Sequence, residues 1–298
     1  MSIPSIETVK EFYDERIEGK IADFTESNPR IEAAVETLAE WAPVKPKRIL
    51  EIGCGIGATS WRMAKAWPGA EVIGADVSSA SIKVAQTCFK LPNLSYFQGL
   101  IKEGTLSGKF DFIVLMDVYE HIALKDRPTL HAAIEAALDD DGRVFFSVPT
   151  PDCLQEIRDH DPSILQPVEE DVGPTDVLKA AEDTDTRLLF YREIGIWCYG
   201  DYAHFVLGRF KSLATVGLRR FRPDTGLKNK LKGMVKGHPD AEGDLFDYLG
   251  SDRLRPMNRA IGDALKVSSR KRRELTDKCL RAARIRDPKA QAGHHRRV

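Results

Sequence analysis

Residues 51 to 60 read EIGCGIGATS, and three glycines at alternate positions, Gly53, Gly55 and Gly57, constrain this chain more than any other feature. They follow the apolar pair Ile49-Leu50 and precede a helical pattern, so a strand must turn sharply into a helix there. A backbone stripped of side chains at such a turn lets another molecule approach closely. What that molecule is depends on the rest of the sequence.

Two helical patterns occupy the first forty residues, one around Ile6, Val9, Phe12, Tyr13 and Ile17, the next around Ile31, Ala34, Val35 and Leu38. Ser27-Asn28-Pro29 is a start signal between them. Beyond them the chain alternates. Strands are expected at Arg48 to Ile52, Glu71 to Asp76, Leu94 to Phe97, Phe110 to Met116 and Arg143 to Val148. Helices are expected at Ala58 to Trp67, Ser79 to Phe89 and Arg127 to Leu138, with breaks at Pro68-Gly69, Pro92-Asn93 and the turn Asp140-Asp141-Gly142. This alternation predicts an α/β fold with a mostly parallel sheet and helices on both faces. Residues 152 to 186 are polar, acidic and punctuated by Pro162, Pro167 and Pro174, and an insertion of that length is expected to be a lid or binding loop. Arg187 to Tyr199 and His204 to Phe210, joined by Gly200-Asp201-Tyr202, read as an antiparallel pair that completes the sheet.

From Lys211 onward the character changes. Leu254, Met257, Ile261 and Leu265 have helical spacing, as do Leu275, Cys279 and Ala282, so helices are expected around Arg270-Lys271-Arg272-Arg273. The last ten residues, with His294-His295-Arg296-Arg297, read as disordered. The division expected is residues 1 to 45 as helices covering a ligand site, 46 to 210 as the α/β domain with the insertion 149 to 186, and 211 to 298 as a basic, mainly helical extension.

With 298 residues, 42% of them hydrophobic, the chain has ample material for a core. No run approaches the roughly 18 apolar residues of a membrane helix, and the acidic, polar start lacks the basic-then-apolar layout of a secretory leader. A cytoplasmic protein without a membrane span is expected. The five cysteines, Cys54, Cys88, Cys153, Cys198 and Cys279, are scattered, offer no C-x-x-C pair and read as packing residues, so no metal site is expected. The net charge of −1 conceals a division. Residues 1 to 208 carry 20 basic and 35 acidic side chains, whereas residues 209 to 298 carry 24 and 10. Either the two parts attract each other or the basic part has an anionic partner of its own. Single-strand nucleic-acid recognition wants aromatic platforms, and no Phe, Tyr or Trp follows Tyr248, so nucleic acid is a disfavoured partner.

Two ligands suit the glycine turn. A dinucleotide pyrophosphate is one, because Gly53, Gly55 and Ala58 satisfy the looser G-x-G-x-x-G/A pattern, and it would make the protein an NAD-dependent oxidoreductase. Helix-terminal amides favour the negative pyrophosphate, but the carboxylate of Glu51, two residues before Gly53, opposes it. The other ligand is S-adenosyl-L-methionine, whose α-ammonium and sulfonium are both positive and suit Glu51. Asp76, at the end of the second expected strand, matches two vicinal ribose hydroxyls in either case.

Three blocks carry a resemblance: ILEIGCGIG at residues 49 to 57, IGADVS at 73 to 78 and FDFIVLMDVYEHI at 110 to 122. Over roughly residues 1 to 210 the chain resembles the class I S-adenosylmethionine-dependent methyltransferases, whose motifs stand in this order. The stretch LMDVYEHI is most similar to small-molecule O-methyltransferases of the ubiquinone-biosynthesis type and to enzymes that methylate sugars or secondary metabolites. The resemblance implies a Rossmann-like seven-stranded, mostly parallel sheet with an antiparallel last strand, here followed by the C-terminal helical extension. It also implies S-adenosyl-L-methionine as cofactor, with Glu51, Gly53 and Gly55 at its methionine part, Asp76 at its ribose and Asp117 at its edge near the transferred methyl. One departure stands out: the acid that family members commonly place after the third strand is replaced by Gln98-Gly99-Leu100-Ile101, so no residue is assigned to adenine. The chain also lacks the Asn-Pro-Pro-Tyr type of motif with which base-methylating relatives hold a flipped amine.

Methylating a hydroxyl requires removal of its proton near neutral pH, which makes His121 the expected catalytic base. The competing reading is a helix histidine bonded to a nearby carbonyl. His160, in the insertion, and His204, at a strand start, are weaker alternatives. Tyr13 either closes over the methionine carboxylate or packs in the core, and Asp76 and Asp117 could each cap a helix. The expected function is methyl transfer to a hydroxyl, with an amine second, of a small metabolite or sugar. A cofactor-binding scaffold without turnover, recruiting an anionic partner through the basic tail, is the non-enzymatic alternative. Association with further copies of the chain is left open.

Overall fold

The computed structural model describes residues 5–209 and 259–285. The sequence readings of Phe210, Leu254, Met257 and the final ten residues lie outside the described residues. Three helices precede the sheet: α1 (Ile6–Glu15), α2 (Ile17–Glu26) and α3 (Pro29–Trp41). Two were expected. The first pattern divides at Arg16, and Ser27, with a left-handed φ of 63°, ends α2 before the Asn28 side chain and Pro29 start α3.

Strands and helices then alternate as β1 (Arg48–Ile52), α4 (Ala58–Ala66), β2 (Glu71–Asp76), α5 (Ser79–Cys88), β3 (Leu94–Gln98), β4 (Phe110–Met116), α6 (Arg127–Ala137) and β5 (Leu138–Pro149). There follow α7 (Pro151–His160), α8 (Pro174–Asp183), β6 (Arg187–Ile194) and β7 (Tyr202–Gly208). Residues 259–265 form a helix, α9, and Ser269–Ala282 form α10. The seven strands make one sheet in the order β3-β2-β1-β4-β5-β7-β6. β7 alone runs against its neighbours, pairing antiparallel with both β5 and β6. This is the Rossmann-like sheet with an antiparallel last strand that the sequence predicts.

Parallel strands covered on both faces need apolar side chains pointing both ways, which is why β4 and β5 read as near-continuous apolar runs. Leu50, Ile113, Leu115, Val144, Phe146 and Phe205 point to one face, beneath Leu130 and Ile134 of α6 and Val177 and Ala180 of α8. Their neighbours Ile49, Phe112, Val114, Phe145 and Val206 point to the other, against α3, α4 and α9. A third cluster gathers Ile17, Ile21 and Phe24 of α2, Trp61 of α4, Val84 of α5 and Leu275 of α10.

Two expectations change. The turn read at Asp140-Asp141-Gly142 is an irregularity within β5, where the register against β4 shifts between Phe110 and Phe112. The segment 149 to 186 is not one irregular loop: α8 buries Val177, Ala180 and Ala181 and serves as a crossover helix between β5 and β6. Its alternating apolar positions are diluted by acids and opened by Pro174, which hid it. Of the cysteines, Cys54, Cys88 and Cys279 are buried as expected, while Cys198 is exposed and Cys153 half-buried. Among the described residues no helix is long and apolar enough to cross a membrane, and no cluster could hold a metal ion.

The sheet's centre offers a direct check on this core. Phe146 is fully buried and stacks on Phe205 with ring centroids 4.4 Å apart. Phe146→Ala should destabilise the protein by about 3–5 kcal/mol, read as a lowered urea midpoint with an unchanged slope.

Candidate functional site

The chain builds β1, β2 and β3 outward, then returns to place β4 on the other side of β1. Strand order reverses there, and a crevice opens beyond the carboxyl ends of β1 and β4. The glycine turn edges this crevice. Gly53 takes φ 75° and Gly55 φ 54°, both in the left-handed region. A Cβ at Gly53 would come within 2.2 Å of Val118 Cγ2, whereas a Cβ at Gly55 would meet nothing nearer than Lys20 Cδ at 3.7 Å. Packing demands the first glycine, and the second leaves bare backbone at the opening.

The crevice is a cavity of about 750 Å³. All six residues singled out in the sequence, Glu51, Gly53, Gly55, Asp76, Asp117 and His121, line it. Glu51 is 3% exposed and accepts a hydrogen bond from Ser60 Oγ. Burial pushes its carboxyl up to about 7 against the pull of Ser60, and neighbouring Asp76 adds to the rise. Among the described residues Glu51 takes part in no ion pair, and its carboxylate is met by Ser60 Oγ.

Asp76 joins two elements. Its Oδ2 accepts from the Gly55 amide at 2.8 Å and its Oδ1 from the Ser78 amide at 2.8 Å. The N-cap of α5 is Ser78, whose hydroxyl accepts from the Ser81 amide, so Asp76 is not the helix cap that the sequence allowed. Each carboxylate oxygen keeps a second lone pair for a ligand hydroxyl. The start of α5 is further tied to α1, where Asp14 accepts from Ser78 Oγ at 2.6 Å, Ser79 Oγ at 3.0 Å and the Ala80 amide at 3.0 Å. Nothing near Asp14 in the sequence signals this contact across 64 residues.

Asp117 leaves β4 with a left-handed φ of 54°, an uncommon conformation for a residue with a side chain. Its Oδ2 lies 3.2 Å from Arg30 Nε of α3, and Arg30 Nη1 donates to Tyr202 Oη at 3.2 Å. Burial pushes the Asp117 carboxyl up and Arg30 draws it back, while Asp117 holds the Arg30 guanidinium firmly protonated. Asp117 therefore meets a protein cation, which its position in the sequence could not reveal. Arg30 and Tyr202 belong to this side of the site, and sequence reasoning missed both.

His121 sits in a short 3₁₀ turn, Tyr119–His121, just beyond Asp117. Its Nδ1 donates to the Val168 carbonyl at 2.9 Å, which assigns the proton to Nδ1 and the lone pair to Nε2. Nε2 lies 3.6 Å from Glu120 Oε1, and Nδ1 lies 3.7 Å from Glu169 Oε1. Burial pushes the imidazole down to about 4, so the ring is neutral at physiological pH. Burial also raises Glu120 well above the carboxylate range and takes Glu169 to about 7. The bond to Val168 is the helix-histidine contact that competed with a catalytic role, and it also fixes the tautomer a base requires.

The remaining candidates separate cleanly. Tyr13 lines the cavity, its ring 6.3 Å from that of His121. His160 is exposed at the end of α7 and bonds the Glu156 carbonyl, away from the cavity. His204 is buried in β7 against Thr37 Oγ1 at 2.8 Å and is structural. Gly99, Leu100 and Ile101 line the cavity beyond β3, where an acid was missing from the sequence pattern. Arg272 of α10 also reaches it.

Comparison with known proteins bears on the fold and the family. A ubiquinone biosynthesis O-methyltransferase from Albidiferax ferrireducens is 31% identical over 137 residues, covering 44% of this chain and 51% of that protein. A trans-aconitate 2-methyltransferase from Deinococcus radiodurans is 34% identical over 121 residues, 39% of this chain and 44% of its own length. The chain thus spans about half the length of the curated relatives it matches. Among solved structures, the magnesium protoporphyrin IX methyltransferase of Synechocystis with bound S-adenosylmethionine shares the fold at a TM-score of 0.53 and 17% identity, over 70% of this chain and 98% of that one. A family model for a methyltransferase domain matches residues 24–191, more than half of the sequence. The chain belongs to this methyltransferase-domain family.

Proposed function

We propose that this protein is an S-adenosyl-L-methionine-dependent methyltransferase acting in the cytoplasm on a hydroxyl, with an amine second, of a small metabolite or sugar. The observation that carries the reading is Glu51, a buried carboxyl that among the described residues takes part in no ion pair, placed beside bare backbone in the switch-point crevice. A pyrophosphate would be repelled there, whereas an α-ammonium supplies the missing charge. Family membership and an O-methyltransferase among the similar proteins support methyl transfer to oxygen.

When bound, the cofactor supplies an electrophilic methyl on a sulfonium centre. Glu51 holds the ammonium, Gly53 and Gly55 let the amino-acid part lie against the backbone, and Asp76 accepts from the ribose hydroxyls. Leu100 and Ile101 offer adenine an apolar wall in place of an acid. Asp117 keeps Arg30 in place and would border the cofactor on the acceptor side. His121 Nε2, the ring nitrogen left with its lone pair by the bond to Val168, would take the proton of an acceptor hydroxyl. Most of the rate then comes from alignment and exclusion of water.

Calorimetry with S-adenosylhomocysteine tests the donor site. Micromolar binding is expected, and Asp76→Ala should weaken it by about a hundredfold through loss of both the ribose contact and the anchored turn. Binding of NADH instead would overturn the reading.

The Glu51 carboxyl gives binding a pH dependence. Burial pushes it up to about 7, so below that value it must lose a proton before it can meet the ammonium. Affinity for S-adenosylhomocysteine should rise about tenfold from pH 6 to pH 8, and Glu51→Gln should flatten the profile.

For turnover, His121 is already neutral above about pH 4, so kcat/KM should show no histidine limb between pH 6 and 8. His121→Ala should lower kcat by about a hundredfold or more with the donor affinity kept. Unchanged turnover would reassign the base, and binding without any turnover would favour a scaffold.

A further inference from the structure

One residue of the cavity lining, Arg272, comes from α10, well beyond the residues that match the family. Helix α10 packs Leu275 and Cys279 into the cluster that holds Ile21 and Phe24 of α2. From the same helix Arg272, 8% exposed, donates Nη1 to the Phe24 carbonyl at 2.6 Å and Nη2 to Glu32 Oε1 at 3.2 Å. Arg62 of α4 grips the same carboxylate with two bonds, at 3.0 Å to Oε1 and 2.8 Å to Oε2, and its Nε donates to the Leu265 carbonyl. Burial opposes the ionisation of Glu32, yet Arg62 and then Arg272 hold its carboxyl below the usual range. Two guanidiniums from α4 and α10 thus converge on one carboxylate of α3, and loss of Arg272 releases α10 from both the Phe24 carbonyl and Glu32.

Arg272 lines the cavity at the side where α2 crosses the glycine turn, and Lys20 of α2 is the nearest group to a Cβ placed at Gly55. We infer that α10 is a strap for the donor cavity and that Arg272 is its positioning residue, holding α2 and α3 over the glycine turn so that donor affinity depends on this helix. The inference rests on the donor reading of the cavity given above. It assigns part of the basic C-terminal region a place inside the molecule. Thr276 supplies an internal control: it lies on the same helix, its hydroxyl meets Thr25 Oγ1 at 2.8 Å, and its other bond is to the Arg272 carbonyl rather than to Glu32.

The test combines calorimetry with S-adenosylhomocysteine and amide hydrogen exchange on the full chain. Arg272→Met should raise Kd about tenfold or more, with faster exchange confined to residues 17–41. Arg272→Lys should fall between, and Thr276→Val should stay within about threefold of the natural protein. The strap is overturned if Arg272→Met binds within about threefold of the natural protein, if Thr276→Val loses as much affinity, or if exchange accelerates throughout the sheet. Failure of the natural protein itself to bind S-adenosylhomocysteine would instead bring down the donor reading, and the strap's role in donor affinity with it.

Discussion

The end of β2 holds the glycine turn in place, and the rest of the site depends on that attachment. The Ala75 carbonyl accepts the amides of Gly53 and Cys54 at 2.7 and 2.9 Å, and the next residue, Asp76, accepts the amide of Gly55. Three successive amides of a turn that would otherwise be free to move are thereby fixed to a neighbouring strand. The attachment requires left-handed backbone at Gly53 and Gly55, because only then do their amides face β2 while the chain still turns into α4. The Cβ-free side of that turn is the surface left for a ligand.

Around the turn the dominant electrostatic fact is burial of acids. Glu51, Asp117, Glu120 and Glu169 all have carboxyls raised by desolvation, and Arg30 is the cation set directly against one of them. A fold does not gather four costly carboxyls for stability, because burial opposes the ionised form of each. Such clusters belong to sites where a ligand's charge or a moving proton gives the acids a task. Neutral His121 lies among them, kept uncharged by the same desolvation and fixed in one tautomer by Val168. Glu51 itself is hydrogen-bonded by Ser60 Oγ, and a ligand's positive charge is complementary to its carboxylate.

The parts of this arrangement that sequence reveals are those set by local rules. β1, β2 and β4 were legible to the residue, because a strand buried on both faces must be an uninterrupted apolar run and its ends are marked by glycine, proline or acid. Glu51, Gly53, Gly55 and Asp76 were legible for the same reason, since they sit at fixed offsets from strand ends that the pattern locates. Asp14, Arg30, Tyr202 and Arg272 were not. Each acts across at least 64 residues of chain, and their neighbours in sequence are ordinary amphipathic helix or strand. His121 is intermediate: its place just beyond β4 was legible, but the Val168 carbonyl that orients it comes from a segment read as a loose insertion. α8 escaped for a different reason, because its acids and prolines resemble a loop until the β6–β7 pair gives its apolar stripe something to cover.

The uneven charge of the two halves acquires a physical meaning from the same contacts. A basic tail beside an acidic domain could bind something else or bind the domain. Within α10 the buried arginine, Arg272, faces Glu32, while Arg270, Arg273, Lys278 and Arg281 stay exposed. Burial selects between the two uses one residue at a time: a cation that loses its water must find a carboxylate and a carbonyl, and Arg272 finds both in the helices that cover the cavity. Among the described residues of α10, the attraction to the rest of the chain is centred on Arg272. Because the exposed cations are screened by salt and this pair, with Arg272 buried, is screened less, ionic strength should disturb any contact the tail makes with outside partners before it loosens α10 from α2 and α3.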